Sequence, residues 1–167
     1  MKLDQAKEEF IQTWGSLGSS WGINRTMSQI HALLLVSNKP LSTEDIMEEL
    51  QISRGNANMN IRALIDWGLV RKQLVPGERK EFFQAGKDIW EMARKIAEER
   101  RKRELEPVIQ TLSELKQVDE NTEEADHFKT VVTDLEDFTQ RIQSTLDRFI
   151  RSDRNWFYKS LMALIKK

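Results

Sequence analysis

The sequence contains no cysteine, which excludes disulfide bonds and thiolate metal sites. It also contains no run of about 18 or more uncharged apolar residues, which excludes a membrane-spanning helix. Residues 1–9 carry charges where a secretory signal needs an apolar core. We therefore expect a cytoplasmic protein that has no membrane partner.

No group of residues has the composition of a catalytic or metal site. The two histidines, His31 and His127, have no His, Cys or Asp constellation near them in the sequence. The glycine-rich segment 15–22 lacks the lysine of a phosphate-binding loop. We therefore expect no catalytic residue, no metal ligand and no cofactor, and the sequence argues against an enzyme.

The net charge of −1 conceals two blocks of opposite sign. Residues 51–80 contain six basic and two acidic residues, a net charge of +4. Residues 119–154 contain five basic and ten acidic residues, a net charge of −5. A basic block of this kind predicts a surface that faces phosphate groups, whatever the total charge of the chain.

The first part of the chain is predicted to be helical. One helix runs from Leu3 to Trp14, where Gly15, Gly18 and the small residues around them break the pattern. A second, short and buried helix covers residues 27–36 and ends before a proline.

Two serines then mark helix starts. Ser42 is a good N-cap and is followed by acidic residues that suit the first turn of a helix. After a turn over residues 51–53, Ser53 caps the next helix, which ends near Trp67. This spacing predicts a helix-turn-helix.

Two strand-like runs, over residues 69–75 and 80–85, follow this pair of helices. Between them, Pro76 and Gly77 suit the central positions of a type II turn, because glycine accepts a positive φ. A helix-turn-helix followed by a hairpin is typical of the winged helix-turn-helix. We therefore predict a mainly α protein with a small β-hairpin wing.

The remainder is predicted to be helical, with one helix from residue 87 to about 116, interrupted at Pro107, and a last helix over about 125–151. Apolar residues of the last helix recur at the spacing of helix-on-helix packing, either within one chain or between two. The residues assigned to dimerisation are Phe128, Leu135, Phe138, Ile142 and Phe149. A further apolar cluster includes Trp156 and Phe157.

These elements predict three parts of the chain. Residues 1–22 form an N-terminal helix with a glycine- and serine-rich stretch. Residues 23–86 form a winged helix-turn-helix domain that binds DNA. Residues 87–167 form a helical dimerisation region.

The helix after Ser53 carries the candidate DNA-reading residues. A stripe of Ala57, Ile61 and Leu64 is predicted to be buried, so that most polar and small residues face outward, while Asn60 lies nearer the core. Glycine allows close approach of the backbone, asparagine can bond adenine edges, and arginine can bond guanine or phosphate. The predicted DNA contacts are Ser53, Arg54, Gly55, Asn56, Asn58, Met59 and Arg62. The alternative is a plain surface helix built from poor helix formers.

The hairpin adds four basic residues to this surface, namely Arg71, Lys72, Arg79 and Lys80. We predict that Arg79 lies at the flanking minor groove, where narrow A·T tracts concentrate negative potential. The alternative is an edge hairpin whose charges oppose aggregation.

Several segments together resemble the GbsR-type branch of the MarR-like repressors, over about residues 10–105. They are Trp21-Gly22-Ile23-Asn24-Arg25-Thr26, Ser53-Arg54-Gly55-Asn56, Asn60-Ile61-Arg62-Ala63-Leu64, Trp67-Gly68-Leu69-Val70-Arg71-Lys72 and Pro76-Gly77-Glu78-Arg79-Lys80. Members of that branch commonly have proline where Asn24 stands. The resemblance implies a homodimeric, DNA-binding regulator whose dimer contacts come from helices outside the winged domain.

The resemblance also has implications for single residues. Glu78-Arg79-Lys80 is similar to the Asp-Arg-Arg wing signature of MarR-like proteins, which implies that Glu78 holds Arg79. The members for which the branch is named sense choline or glycine betaine, and the five tryptophans of this chain suit an aromatic cage. Core packing explains these tryptophans better. A small-molecule effector therefore stays open, with no identity and no assigned residue.

We therefore predict a sequence-specific DNA-binding transcriptional regulator, in the role of a repressor, that acts as a homodimer on a pseudo-palindromic operator in double-stranded DNA. The recognition helix, about residues 53–67, enters the major groove, and the wing, about residues 69–85, lies at the flanking minor groove. The alternative is a winged-helix protein–protein interaction module without sequence-specific DNA binding.

Overall fold

A computed structural model describes residues 1–153, and the predicted cluster at Trp156 and Phe157 lies outside this range. The chain forms two compact units, one over Met1–Met92 and one from Ala93 onward. No helix within the described range is long and apolar enough to cross a membrane. The protein is mainly helical, with one small antiparallel sheet in the first unit.

The first unit combines a helical core with a three-stranded sheet. Its elements are α1 (Leu3–Ser20), α2 (Arg25–Val36), β1 (Leu41–Ser42), α3 (Thr43–Leu50), α4 (Arg54–Asp66), β2 (Val70–Gln73) and β3 (Phe82–Ala85). The largest side chains that are fully buried are Ile30, Leu34, Ile46 and Leu64, which come from α2, α3 and α4. The core of this unit therefore lies where these three helices meet.

Side-chain caps fix the starts of α3 and α4. The Ser42 hydroxyl accepts a hydrogen bond from the Asp45 N–H (3.2 Å), and the Asp45 carboxylate accepts one from the Ser42 N–H (2.8 Å). This second bond is the main reason why the pKa of Asp45 is lowered. The Ser53 hydroxyl accepts a hydrogen bond from the Asn56 N–H (3.3 Å). Both predicted N-caps are confirmed, and caps of this kind each stabilise a helix by about 1 kcal/mol.

The predicted end of the first helix at Trp14 is wrong, because α1 continues through Gly15 and Gly18 to Ser20. Both glycines are buried. A Cβ atom added at Gly18 would overlap the Ser28 hydroxyl of α2, and one added at Gly15 would lie 2.6 Å from a Gln29 side-chain carbon. The glycines therefore allow α1 and α2 to pack closely, and this packing offsets the low helix propensity of glycine.

The two strands of the hairpin are shorter than predicted, and the sheet contains a third strand that was not predicted. β2 and β3 cover only Val70–Gln73 and Phe82–Ala85, and β3 also pairs with β1, in the register Leu41↔Phe83. The predicted type II turn is confirmed, since Gly77 has a φ of +85° and the Glu78 N–H donates to the Val75 carbonyl (3.1 Å). A strand of two residues is too short to show an alternating pattern, which explains why β1 was not predicted.

Lys87 closes the C-terminal end of α2. Its Nζ donates to the carbonyl oxygens of Leu34 (2.9 Å), Leu35 (2.5 Å) and Ser37 (2.9 Å). The last carbonyl groups of a helix have no partner within it, and the negative end of the helix dipole favours a cation. Lys87 therefore satisfies both requirements with one ammonium group.

His31 lies about one turn before this end of α2. Its side chain is 3% exposed, and its ring centroid lies 6.5 Å from that of Trp14. Burial, and then the charge of Lys87, lowers the pKa of His31 to about 4. The imidazole is therefore neutral in the folded protein at neutral pH.

The second unit is helical. α5 (Ile89–Arg100) leads into it and is followed by a π-helical turn (Arg101–Leu105), α6 (Glu106–Leu115) and α7 (Glu123–Arg151). The predicted interruption at Pro107 appears as this π turn, because proline has no N–H to donate to the preceding turn.

The two faces of α7 differ in what they contact. Ala125, Val132 and Glu136 are buried, and Glu136 forms an ion pair with Lys116. The seam predicted for dimerisation lies elsewhere on the helix and is largely exposed over residues 1–153. Phe128, Leu135, Phe138 and Ile142 are exposed and Phe149 is half-buried.

We expect Gly18→Ala to lower the free energy of unfolding by about 1–3 kcal/mol, because the new methyl group overlaps Ser28. Gly55→Ala is the matched control, since a Cβ there meets no atom within 4 Å. That change should raise the free energy of unfolding by about 0.5–1 kcal/mol. Urea denaturation measures both values, and effects of the same sign would contradict the close packing of α1 on α2.

We also expect the free energy of unfolding to fall as the pH decreases from about 6.5 to 4. The unfolded chain binds the His31 proton at a pKa of 6.5, whereas the folded chain binds it only near 4. The full loss attributable to His31 is therefore about 3 kcal/mol, reached below pH 4. His31→Gln should flatten this part of the pH profile, and His127→Gln, at an exposed position, should not. Identical profiles for wild type and His31→Gln would contradict a buried neutral histidine.

Candidate nucleic-acid interface

α4 has one buried stripe and one open face. Ala57, Ile61 and Leu64 are at most 2% exposed, as predicted. Asn60 is also buried, and its Nδ2 donates to the backbone carbonyl (2.9 Å) and to the Oδ1 (2.7 Å) of Asn56. Its predicted position near the core is confirmed, and Asn60 is therefore a packing residue.

The open face of α4 consists of small, apolar and basic side chains. Gly55, Met59 and Arg62 are exposed, and 60% of Met59 is accessible. Asn56 and Asn58 flank this face and are half-buried. The flexible thioether of Met59 and the guanidinium of Arg62 are therefore accessible to a ligand that binds alongside α4.

Asn58 also has a structural contact. Its Oδ1 accepts a hydrogen bond from the Thr43 hydroxyl (3.4 Å), at the start of α3. The amide therefore joins the two helices of the helix-turn-helix. Its Nδ2 group, at the edge of the open face, is the part of Asn58 that suits an external acceptor.

Arg54 is held by an acidic residue that sequence reasoning missed. Its Nη2 lies 2.7 Å from the Glu44 carboxylate, in the first turn of α3. The pKa of Glu44 is lowered first by a hydrogen bond from its own backbone N–H and then by Arg54. Ten residues separate the two side chains, so no local spacing in the sequence indicates this pair. It joins the first turns of α3 and α4.

Two of the four basic wing residues are engaged within the hairpin. Lys72 forms an ion pair with Glu81 (2.5 Å), and Arg71 donates to the Gln84 side chain (3.3 Å). These contacts tie β2 to the returning chain. Both side chains remain exposed, so they can still contact phosphate.

The pair that the family resemblance implied, Glu78 with Arg79, does not form. Over residues 1–153 no ion pair within 4.0 Å involves either side chain, and the wing's ion pair is instead Lys72 with Glu81. Glu78 and Arg79 are adjacent in the segment between β2 and β3, and both side chains are exposed.

Arg62, Arg79 and Lys80 are exposed, and none of them has an acidic partner within 4.0 Å among the described residues. Lys80 is near enough to Glu44 and Asp45 for its charge to lower the pKa of each. The base of the wing is therefore close to the start of α3, and the Glu44–Arg54 pair continues the surface to α4. We call this surface the basic face.

The basic face thus includes the predicted residues at the start and on the open side of α4 and the base of the wing. It combines accessible guanidinium and ammonium groups with a helix start whose N–H groups can bind an anion. Within residues 1–153, no three His, Asp or Glu side chains are grouped as a metal site requires.

This combination of a capped helix-turn-helix and a sheet with a hairpin tip defines a winged helix domain. Residues 21–81 match the model of the MarR family, so this segment is similar to the winged helix domain of that family. No curated protein matches the sequence.

The fold is also similar to that of a crystal structure of a transcriptional regulator. The TM-score is 0.66 at 18% sequence identity, and the match covers 87% of this chain and 95% of that chain. At this identity the likeness concerns the fold. It extends beyond the winged helix domain, because it covers most of both chains.

The Glu44–Arg54 pair gives a direct prediction. Arg54→Ala should raise the pKa of Glu44 toward its usual value of 4.5 without restoring it, because the backbone hydrogen bond remains. A pH titration of the Glu44 carboxyl group by NMR measures this change. Arg62→Ala removes the same charge from α4 and should leave the pKa of Glu44 where it is. A pKa that is the same in Arg54→Ala and in wild type would contradict the pair.

Proposed function

We propose that the protein is a sequence-specific DNA-binding transcriptional regulator of the GbsR-like branch, that it represses its targets in the cytoplasm, and that it acts as a homodimer. The observation that carries this proposal is the basic face. It leaves Arg62, Arg79 and Lys80 without acidic partners among the described residues, beside the open side of a capped helix. The MarR-type winged helix domain supports it.

In this proposal α4 enters the major groove. Gly55 adds no side chain between the helix and the base edges, and an added Cβ there would extend into open space. Arg62 and the amides of Asn56 and Asn58 supply donors that suit guanine and adenine edges. The Ser53 end of α4 supplies N–H groups and a positive dipole to a phosphate.

The ion-paired and unpaired basic residues have different roles in this proposal. Arg54 is fixed by Glu44, so it adds a pre-oriented donor at the phosphate backbone. Arg79 and Lys80 lie in the wing and contact the flanking minor groove and its phosphates. Arg71 and Lys72 add charge from the hairpin. Contacts of this kind make the affinity depend steeply on salt concentration.

The uncovered seam of α7 supports a dimer. Four of its five predicted residues are exposed in the single chain, although such side chains are normally covered. A two-fold dimer would present two α4 helices to successive major grooves, about 34–36 Å apart, and would match a pseudo-palindromic operator.

We expect Arg62→Ala to reduce the discrimination between operator and unrelated DNA by about 1–3 kcal/mol, because it removes a base contact. Arg79→Ala should weaken binding to all sequences and flatten the dependence on salt, because it removes a phosphate or minor-groove contact. Gel-shift titrations with genomic fragments and competitor DNA measure both effects.

Lys129→Ala is the control, since it removes one positive charge from α7 and should change neither quantity. A double variant of Arg62 and Arg79 that keeps wild-type affinity would contradict the assignment of the basic face. Equal binding to every fragment would favour a protein-interaction module in place of a sequence-specific regulator.

A further inference from the structure

α7 carries an apolar stripe that remains largely exposed among residues 1–153. Phe128, Val131, Leu135, Phe138 and Ile142 follow one side of the helix and are 40% to 62% exposed. At about 100° per residue, this stripe lies roughly 110° from the buried side that includes Val132 and Glu136. α7 therefore has one face for its own unit and a second face that stays largely exposed in the described part of the chain.

The charges of α7 are divided between its two halves. Residues 123–137 contain six acidic residues and one basic residue, a net charge of −5. Residues 138–151 contain three basic residues and one acidic residue, a net charge of +2. A helix with this distribution is complementary to a second copy of itself that runs in the opposite direction.

Asp134 and Arg141 have the positions that such a pairing needs. They are two helical turns apart and flank the apolar stripe on the side away from Val132. Both are exposed, and neither forms an ion pair within residues 1–153. Both charges are therefore available to a partner that covers the stripe.

We infer that two copies of α7 pair antiparallel across this stripe, with Asp134 of each copy against the partner's Arg141. This inference rests on the proposed homodimer and adds the direction and register of its helices. The midpoint between residues 134 and 141 coincides with the middle of Glu123–Arg151, so this register pairs the helices over their full length of about 43 Å. A two-fold axis there produces two identical ion pairs.

A parallel pairing has no such complementarity. It brings the acidic first turns of both helices together, where Glu123, Glu124 and Asp126 of each copy repel those of the other. It also places Asp134 near the partner's Thr139, which carries no charge. In the antiparallel arrangement, each acidic half faces a basic half and the two helix dipoles are opposed.

Charge reversal tests the register. Asp134→Arg alone, or Arg141→Asp alone, replaces two attractive contacts by two repulsive ones and should weaken dimerisation about tenfold at low salt. The combined swap of both residues should return the dissociation constant to within about threefold of wild type, because it restores both pairs. Asp137→Arg is the matched control, since it makes the same charge change on an exposed side of α7 away from the stripe. Sedimentation equilibrium measures the dissociation constants of wild type and of the four variants.

A distance measurement tests the direction. The chain has no cysteine, so Asp126→Cys adds a unique site for a spin label near the start of α7. The two labels of a dimer should lie about 35–40 Å apart in the antiparallel register and about 20 Å or less apart in a parallel one. Pulsed electron paramagnetic resonance measures distances in this range and distinguishes the two arrangements.

The outcomes separate this inference from the proposed function. A wild-type dimer with the short label distance, or single reversals that act no differently from the Asp137 control, would overturn the antiparallel pairing and leave the DNA-binding proposal intact. A wild-type chain that stays monomeric at micromolar concentration would overturn the pairing together with the homodimer. Loss of operator binding in the Arg62 and Arg79 variants with unchanged dimerisation would support the DNA site independently.

Discussion

The pairing of Leu41–Ser42 with Phe82–Phe83 is the contact on which the basic face depends. Ser42 belongs to this strand pair and also caps α3, so a single residue fixes the sheet and the helix start together. From that position Lys80 is near the first turn of α3, and Glu44 in that turn holds Arg54 of α4. The strand pair thus joins the wing to the start of α3 by backbone pairing, in addition to the chain connection between α4 and β2.

The distribution of charge explains how a chain of net charge −1 can present a surface for DNA. The proposed contacts lie in a segment of net charge +4, where Arg62, Arg79 and Lys80 form no ion pair within 4.0 Å among residues 1–153. The acidic residues are concentrated in the first half of α7, where one of them is neutralised by Lys116. In the proposed function, such a separation would restrict phosphate binding to the basic segment and leave α7 for protein contacts.

Features that depend on neighbours in the sequence were predicted correctly. The N-caps at Ser42 and Ser53, the type II turn at Pro76-Gly77 and the buried stripe of α4 each follow from spacings of a few residues. Features that depend on residues distant in the sequence were not predicted. The continuation of α1 through Gly18 requires the presence of Ser28 on a second helix, and the Glu44–Arg54 pair spans the turn between two helices. The exposed seam of α7 was predicted only in part. Its heptad spacing indicates that it packs against a helix, but the spacing does not identify which helix.

The three hydrogen bonds of Lys87 also affect how the unit would resist a mechanical load applied to the chain after the sheet. Lys87 follows β3 and precedes α5, so a pull on α5 reaches its backbone before it reaches the sheet. Its ammonium group shares that load with the end of α2, which is packed in the core, so the short strands of the wing do not carry it alone. The attachment of β3 to the rest of its unit is therefore reinforced at the residue after which the chain leaves the sheet.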